Sequence, residues 1–288
     1  VLVPLGFIIV IASVFGGYAL AGGSLGPLFQ PLEFVIIGGA GLGAFVAANN
    51  GKAIKATLKM AKRVKPSTKY TNETYLELLA VIYKLLNKMR RDGMLAVERD
   101  IENPTESAIF SEHPDVLEDE MMLNFISDYL RLMISGNMNP QELDELMLHE
   151  IETFEAEGEI PADALSKVGD AMPAFGIVAA VLGVVRALST ADVPPDVMGN
   201  MIAHALVGTF LGILLGYGFI NPLASRVERQ VQEMSKTLQV IRVTLLASMH
   251  GYAPQLAVEF GRKALFSEER PSFNELEDYV RGAKSDAS

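Results

Sequence analysis

The side chains that could carry chemistry here are few. Four histidines, His113, His149, His204 and His250, are scattered with no HxxxH or HExxH spacing, so a metal site is not expected. Cysteine is absent, which removes disulfides, thiolate ligands and thiol nucleophiles. No nucleophile–base constellation, phosphate loop or dinucleotide fingerprint occurs, so the chain reads as no enzyme and needs no cofactor. The carboxylates raise a sharper question. A membrane carboxylate is the usual way to carry a proton or bind a cation inside a bilayer. Glu33, Asp170, Asp192 and Asp196 all stand at the edges of long apolar stretches, and none is central. The most central polar side chain in those stretches is Thr209, which has no charge to offer.

The elements that must position these residues follow from how charge is distributed. Of 24 basic residues none precedes Lys52, and only Arg186 lies between Gly169 and Leu223. The chain therefore alternates apolar and charged blocks, a membrane pattern. A net charge of −11 argues against a nucleic-acid partner. Four spans are expected, at about 2–20, 32–48, 171–188 and 200–223, each near the roughly 20 residues that cross a bilayer. The first lacks a basic leader region and is read as a retained span. The links 21–31 and 189–200 are short and Gly- or Pro-punctuated, the second carrying Asp192 and Asp196. The stretch KAIKATLKMAKRVK, 52–65, holds six basic residues just after the second span. The positive-inside rule then places 52–168, the tail after 223 and both termini in the cytoplasm.

The charged blocks read as helices. Tyr75, Leu76, Leu79, Ile82, Tyr83 and Leu86 fall at helical spacing, and 115–134 repeats the pattern. Asn139-Pro140-Gln141-Glu142 is a helix start, with Asn as cap and Pro first, for a helix to about Glu157. Val227, Val231, Met234, Leu238, Ile241 and Leu245 form a heptad-like seam, so the fourth span should continue as a stalk. The expected fold is an all-α membrane protein. It has four transmembrane helices, a large helical cytoplasmic region and long helical extensions of the third and fourth spans. The blocks are 1–50 (spans one and two), 51–168 (cytoplasmic helical domain), 169–223 (spans three and four) and 224–288 (stalk and tail).

Gly176/Ala180 and Ala179/Gly183 in the third span, and Gly208, Gly212 and Gly216 in the fourth, are small-residue pairs and stripes that permit close helix approach. Plain packing within the chain would explain them. The alternative, that they face another subunit's helix, would also supply the missing carboxylate. Pro173 and Pro222 at the inner ends of these spans fit helix ends, and otherwise hinges. In KMRRDGMLAVERD, Gly93 should separate two helices and gather Arg90 and Glu98 at the turn. A solvated face is the ordinary explanation of such charges. Charges of both signs on a tip would also suit register with a charged partner.

The stretches VFGGYALAGGSLGPLFQPLEFVIIGGAGLGAF (14–45), GMLAVERDIENP (93–104), VGDAMPAFGIVAAVLGVV (168–185), AHALVGTFLGILLGYGFINPLA (203–224) and GYAPQLAVEFGRK (251–263) closely resemble the MotA family of flagellar motor stator proteins, within the MotA/TolQ/ExbB proton channel family. The resemblance implies a pentameric inner-membrane ring around two copies of a single-span, MotB-like partner. That partner brings the membrane Asp and a peptidoglycan-gripping domain. Ion flow turns the ring, and cytoplasmic charges push the rotor protein FliG. Carried over by position, Arg90 and Glu98 contact the rotor, and Pro173 and Pro222 couple ion transfer to movement. Thr209 neighbours the partner's Asp, and Asp170 marks the inner exit with Pro173. Ala180, where sodium-driven relatives carry Thr, implies protons. The alternatives are an ExbB/TolQ-like transducer, which resembles a three-span plan, and a non-conducting membrane scaffold.

Overall fold

The computed structural model describes residues 2–63, 70–190 and 194–281. Asp192 and part of the link that holds it lie outside the described residues. All regular elements among the described residues are helical. Two compact units emerge, one of Val1–Ser67 with Glu157–Gln230, the other of Thr68–Ala156 with Val231–Ser288.

In the first unit α1 spans Leu2–Leu20, with a π-helical stretch at Ala12–Gly16. A 3₁₀ turn at Gly26–Leu28 leads into α2, Pro31–Ala48. Asn49 is extended (φ −123°, ψ 145°), and Asn50 Oδ1 accepts from Ala53 N at 2.8 Å, opening α3, Gly51–Arg63. Two long helices follow: α9, Pro140–Leu188, and α10, Pro195–Met249, with a π stretch at Gly216–Ile220. α1, α9, α10 and the stretch Gly26–Ala48 are each long and apolar enough to cross a membrane. Such helices satisfy their backbone groups internally, the condition for spanning hydrocarbon. Their contacts are van der Waals. Ile37, Met172, Ala179, Val207 and Leu211 form the shared core. Phe7 meets Phe219 and Phe15 meets Phe210, with ring centroids 5.0 and 6.0 Å apart.

The second unit is built from α4 (Asn72–Asp92), α5 (Glu98–Glu102), α6 (Ala108–Ser111), α7 (Pro114–Leu117), α8 (Glu120–Ser135), α11 (Pro254–Ala264) and α12 (Phe273–Val280). The first part of α9 and the last part of α10 complete it. Its core joins Tyr75, Leu78, Leu79 and Ile82 to Leu238, Val240, Ile241 and Leu245. Each fully buried aliphatic side chain is worth about 1.5–3 kcal/mol. The heptad-like seam beyond Val227 is therefore core filling for this unit.

Three expectations are corrected. The helix of 115–134 is broken: Asp119 ends one turn and caps the next, accepting from Met121 N and Met122 N at 3.0 and 3.1 Å. The cap at Asn139 is as expected, with Glu142 N to Asn139 Oδ1 and Asn139 N to Glu142 Oε2 both at 2.9 Å. Its helix does not stop near Glu157 but runs on to Leu188, through Pro161 and Pro173. Nor do Pro173 and Pro222 mark helix ends. Pro173 is interior to α9, and Pro222 stands two residues past the end of the π stretch of α10. Proline cannot donate to the carbonyl four residues back and its ring crowds that carbonyl, so a widened turn just before it is the expected accommodation.

Candidate functional site

The seam between α9 and α10 is made by residues with almost no side chain. A Cβ added to Gly176 would stand 2.6 Å from Gly208 O and 3.2 Å from the Cα of Thr209. At Gly212 it would meet Met172 O at 2.5 Å and the Cα of Gly176 at 2.9 Å; at Gly183, the Cβ of Ala205 at 2.6 Å. Real Cβ atoms do not approach so closely, so glycine is required for the backbones to touch. Ala179, Ala180 and Ala205 are buried beside them. This corrects the expectation that the small residues of the third span face a partner helix. They face the chain's own fourth span. The outward face of that part of α9 is branched and apolar, with Ile177, Val178, Val181, Leu182 and Val185 exposed.

The expected ion-path residues gather along this seam. Ala180 is buried in it, and Thr209 is half-buried at its edge, making no hydrogen bond with the described residues. At the inner end, Pro173 packs against Gly216, where an added Cβ would stand 3.3 Å from Pro173 Cδ. Asn221 Nδ2 donates to Asp170 Oδ1 at 2.8 Å, tying the two helices there, and Asp170 is exposed. Pro222, next to Asn221, is exposed. Asp196 is exposed in the first turn of α10, far in sequence from the seam's centre.

One residue of this site escaped sequence reasoning. Glu33, at the third position of α2, turns inward: its Oε2 is buried without a hydrogen-bond partner. A Cβ on residue 208 would lie 2.9 Å from that oxygen, 3.0 Å from the Cβ of Ala179 and 3.2 Å from Ala180 N. The available signal was an acid at the third helical position of an apolar helix whose N-cap, Gln30, is not one of the residues that form a capping box.

The second expected site is the turn after α4. Gly93 has φ 98° and ψ 160°, a region open only to glycine, and it redirects the chain into a 3₁₀ turn, Met94–Val97, and then α5. Arg90 and Glu98 flank this turn, both exposed and neither in an ion pair or hydrogen bond with the described residues. Their neighbours are occupied. Arg91 is bonded to Asp92 at 2.7 and 2.8 Å, which holds the Asp92 carboxyl below the usual carboxylate range. Asp100 is buried, accepting from Lys88 Nζ at 2.7 Å and Ser107 Oγ at 2.6 Å. The charges that stay uncommitted are the two expected to meet a partner.

Elsewhere in the second unit His113 is buried, its Nε2 3.1 Å from Lys84 Nζ. Burial, and then the Lys84 charge, push its pKa down to about 4. Burial raises the Glu77 carboxyl, and that of Glu269. No group of three or more metal-ligating side chains occurs among the described residues.

With this geometry in place, kinship narrows its meaning. Residues 4–93 match the family model "Motility protein A N-terminal", and residues 117–240 match "MotA/TolQ/ExbB proton channel family". The chain is 57% identical over 284 residues to Motility protein A of Salmonella typhimurium and to that of Escherichia coli, covering 99% of this chain and 96% of each relative. It is 36% identical over 276 residues to Chemotaxis protein LafT of Vibrio parahaemolyticus, covering 96% of this chain and 97% of LafT. Among solved structures it superposes on Bacillus subtilis MotAB, the flagellar stator complex, with a TM-score of 0.77 and 26% identity, covering 95% of this chain and 97% of that one. The fold is also that of C. jejuni MotAB, with a TM-score of 0.78 and 22% identity over 94% of this chain and 98% of that one.

Proposed function

The chain belongs to the motility protein A family of the MotA/TolQ/ExbB group, and from that premise we propose that it is the ring-forming, ion-conducting stator subunit of a bacterial flagellar motor. It acts in the inner membrane with both termini and the charged blocks in the cytoplasm, around a MotB-like single-span partner. It is a transport and force-transmitting protein with no enzymatic step and no cofactor; the transported ion is the proton. The N-terminal family match, reaching Gly93, favours this reading over a TolQ- or ExbB-like transducer.

The observation that carries the reading is the seam of α9 and α10. It is closed tightly by glycine, bordered by Ala180 and by the half-buried Thr209, and has no carboxylate on either helix at mid-span. A path built on these helices takes its principal ion carrier from another chain, here the partner's membrane Asp. Proton transfer to and from that Asp alternately adds and removes a buried charge beside Thr209. The prolines interrupt the hydrogen-bond ladders of α9 and α10 at the inner end, near Asp170, where bending costs least. The movement reaches the rotor protein FliG through Arg90 and Glu98. Exposed pairs of charges contribute little affinity, about 0–1 kcal/mol each, which suits contacts that form and release.

The test is co-expression with the partner after deletion of its periplasmic plug, with cytoplasmic pH followed over time. Acidification driven by the complex is expected; sodium uptake in its place rejects the proton assignment, and no ion uptake rejects conduction. Simultaneous charge reversal of Arg90 and Glu98 should abolish or strongly reduce swimming in the native host. Unchanged swimming would remove these residues from the rotor contact.

A further inference from the structure

Resting on the ion-conducting reading above, we propose that Glu33 is a proton-transfer group of this chain's own, passing protons from the outer aqueous side toward the carboxylate supplied by the partner helix. An acid in the first turn of a helix ordinarily lies over the free amides at the helix start. The start of α2 has no side-chain cap, and Glu33 instead inserts beside Gly208. Its Oε2 is buried, accepts no hydrogen bond and stands at the point where α9 and α10 touch. Gly208 makes the room: any side chain there would collide with this oxygen or with Ala179. Residue 209, next in the chain, is the threonine of the ion path, and Ala180 borders the same point. An unsatisfied buried polar group costs on the order of 1–3 kcal/mol, and an ionisable group inside a membrane points first to transport.

Toward the outer ends of the two long helices the titratable side chains are Arg186 on α9 and Asp196 and His204 on α10; none is hydrogen-bonded to Glu33 Oε2. Among the described residues Glu33 Oε2 thus has no partner for the proton it would accept or give. In the uptake step a hydronium ion at the outer side transfers its proton to Glu33 Oε2. One O–H bond breaks, leaving water, and one forms, converting carboxylate to carboxylic acid. In the release step that O–H bond breaks, the proton passes to the partner's carboxylate directly or through a water, and Glu33 returns to carboxylate. One proton advances per cycle, and nothing is oxidised or reduced.

Glu33→Gln tests the proposal, because it keeps size and hydrogen-bonding ability and removes the titratable carboxyl. The full chain is co-expressed with its unplugged partner, and acidification is measured per complex in the membrane. A several-fold slower acidification is expected, with Glu33→Asp falling between the variant and the parent. An unchanged rate in Glu33→Gln shows a merely packed acid and overturns the proposal. Absence of leak in the parent complex instead refutes the conducting reading on which it rests. If Glu33→Gln fails to reach the membrane, Glu33→Asp is compared with Glu33→Asn, which share one length. Equal rates in that pair also overturn the proposal.

Discussion

At the scale of single residues, what matters most is which polar groups have partners. His113 is almost fully buried, at 4% exposure, and its pKa of about 4 lies below the ordinary 6.5. Between those values the unfolded chain takes up a proton that the folded one refuses. Stability from this group is complete above about pH 6.5 and declines as pH falls toward 4, by on the order of 3 kcal/mol in all. Thermal unfolding of the full chain in detergent should show that loss, and His113→Gln should flatten the slope; a parallel slope in the variant would exclude His113 as its source. Thr209→Leu adds bulk and removes the hydroxyl at the edge of the seam. It should abolish motility while leaving membrane content unchanged, as read by swimming assays and immunoblot; normal swimming would place Thr209 off the ion path.

At the scale of elements, turns and seams set the functional geometry. Gly93→Ala forces an L side chain into a backbone region that costs it about 1–3 kcal/mol. The variant should lower the unfolding midpoint and, by re-aiming Arg90 and Glu98, reduce swimming more than conduction; a leak rate reduced in equal proportion would contradict that division. Much of this level was legible in the sequence. The spans emerge because lysine and arginine avoid the apolar stretches, and the start of α9 because Asn139, Pro140 and Glu142 each meet a separate need of a helix terminus. Pro173 misled because proline is read as a stop, whereas in a helix packed along its length neighbouring turns absorb one missing hydrogen bond. The small-residue stripes misled differently. Periodicity shows that a face is flat but not which helix lies against it. Glu33 was passed over because acids at the end of an apolar run usually reach water.

At the scale of the whole molecule, neither unit is one continuous piece of chain. The second takes residues from Thr68–Ala156 and from Val231–Ser288, and its core interleaves them. A fragment of residues 70–156 leaves the apolar faces of Tyr75, Leu78 and Leu79 without Val240, Ile241 and Leu245. Such a fragment should lack dispersed NMR resonances and a cooperative thermal transition, and adding a 231–281 peptide should restore both. A fragment that folds unaided would show that the first segment holds a sufficient core.

The same interleaving has a consequence for biosynthesis. A ribosome delivers residues 68–156 well before it delivers 231–281, and both later spans lie between them in the reading order. The surface bearing Arg90 and Glu98 therefore cannot mature until the last span has been threaded into the bilayer. Completion of the turn that carries Arg90 and Glu98 becomes a built-in receipt for correct insertion: a nascent or misinserted chain presents no finished surface there. Pulse-labelled chains should acquire protease resistance around residues 72–102 only after synthesis passes the segment that forms α11.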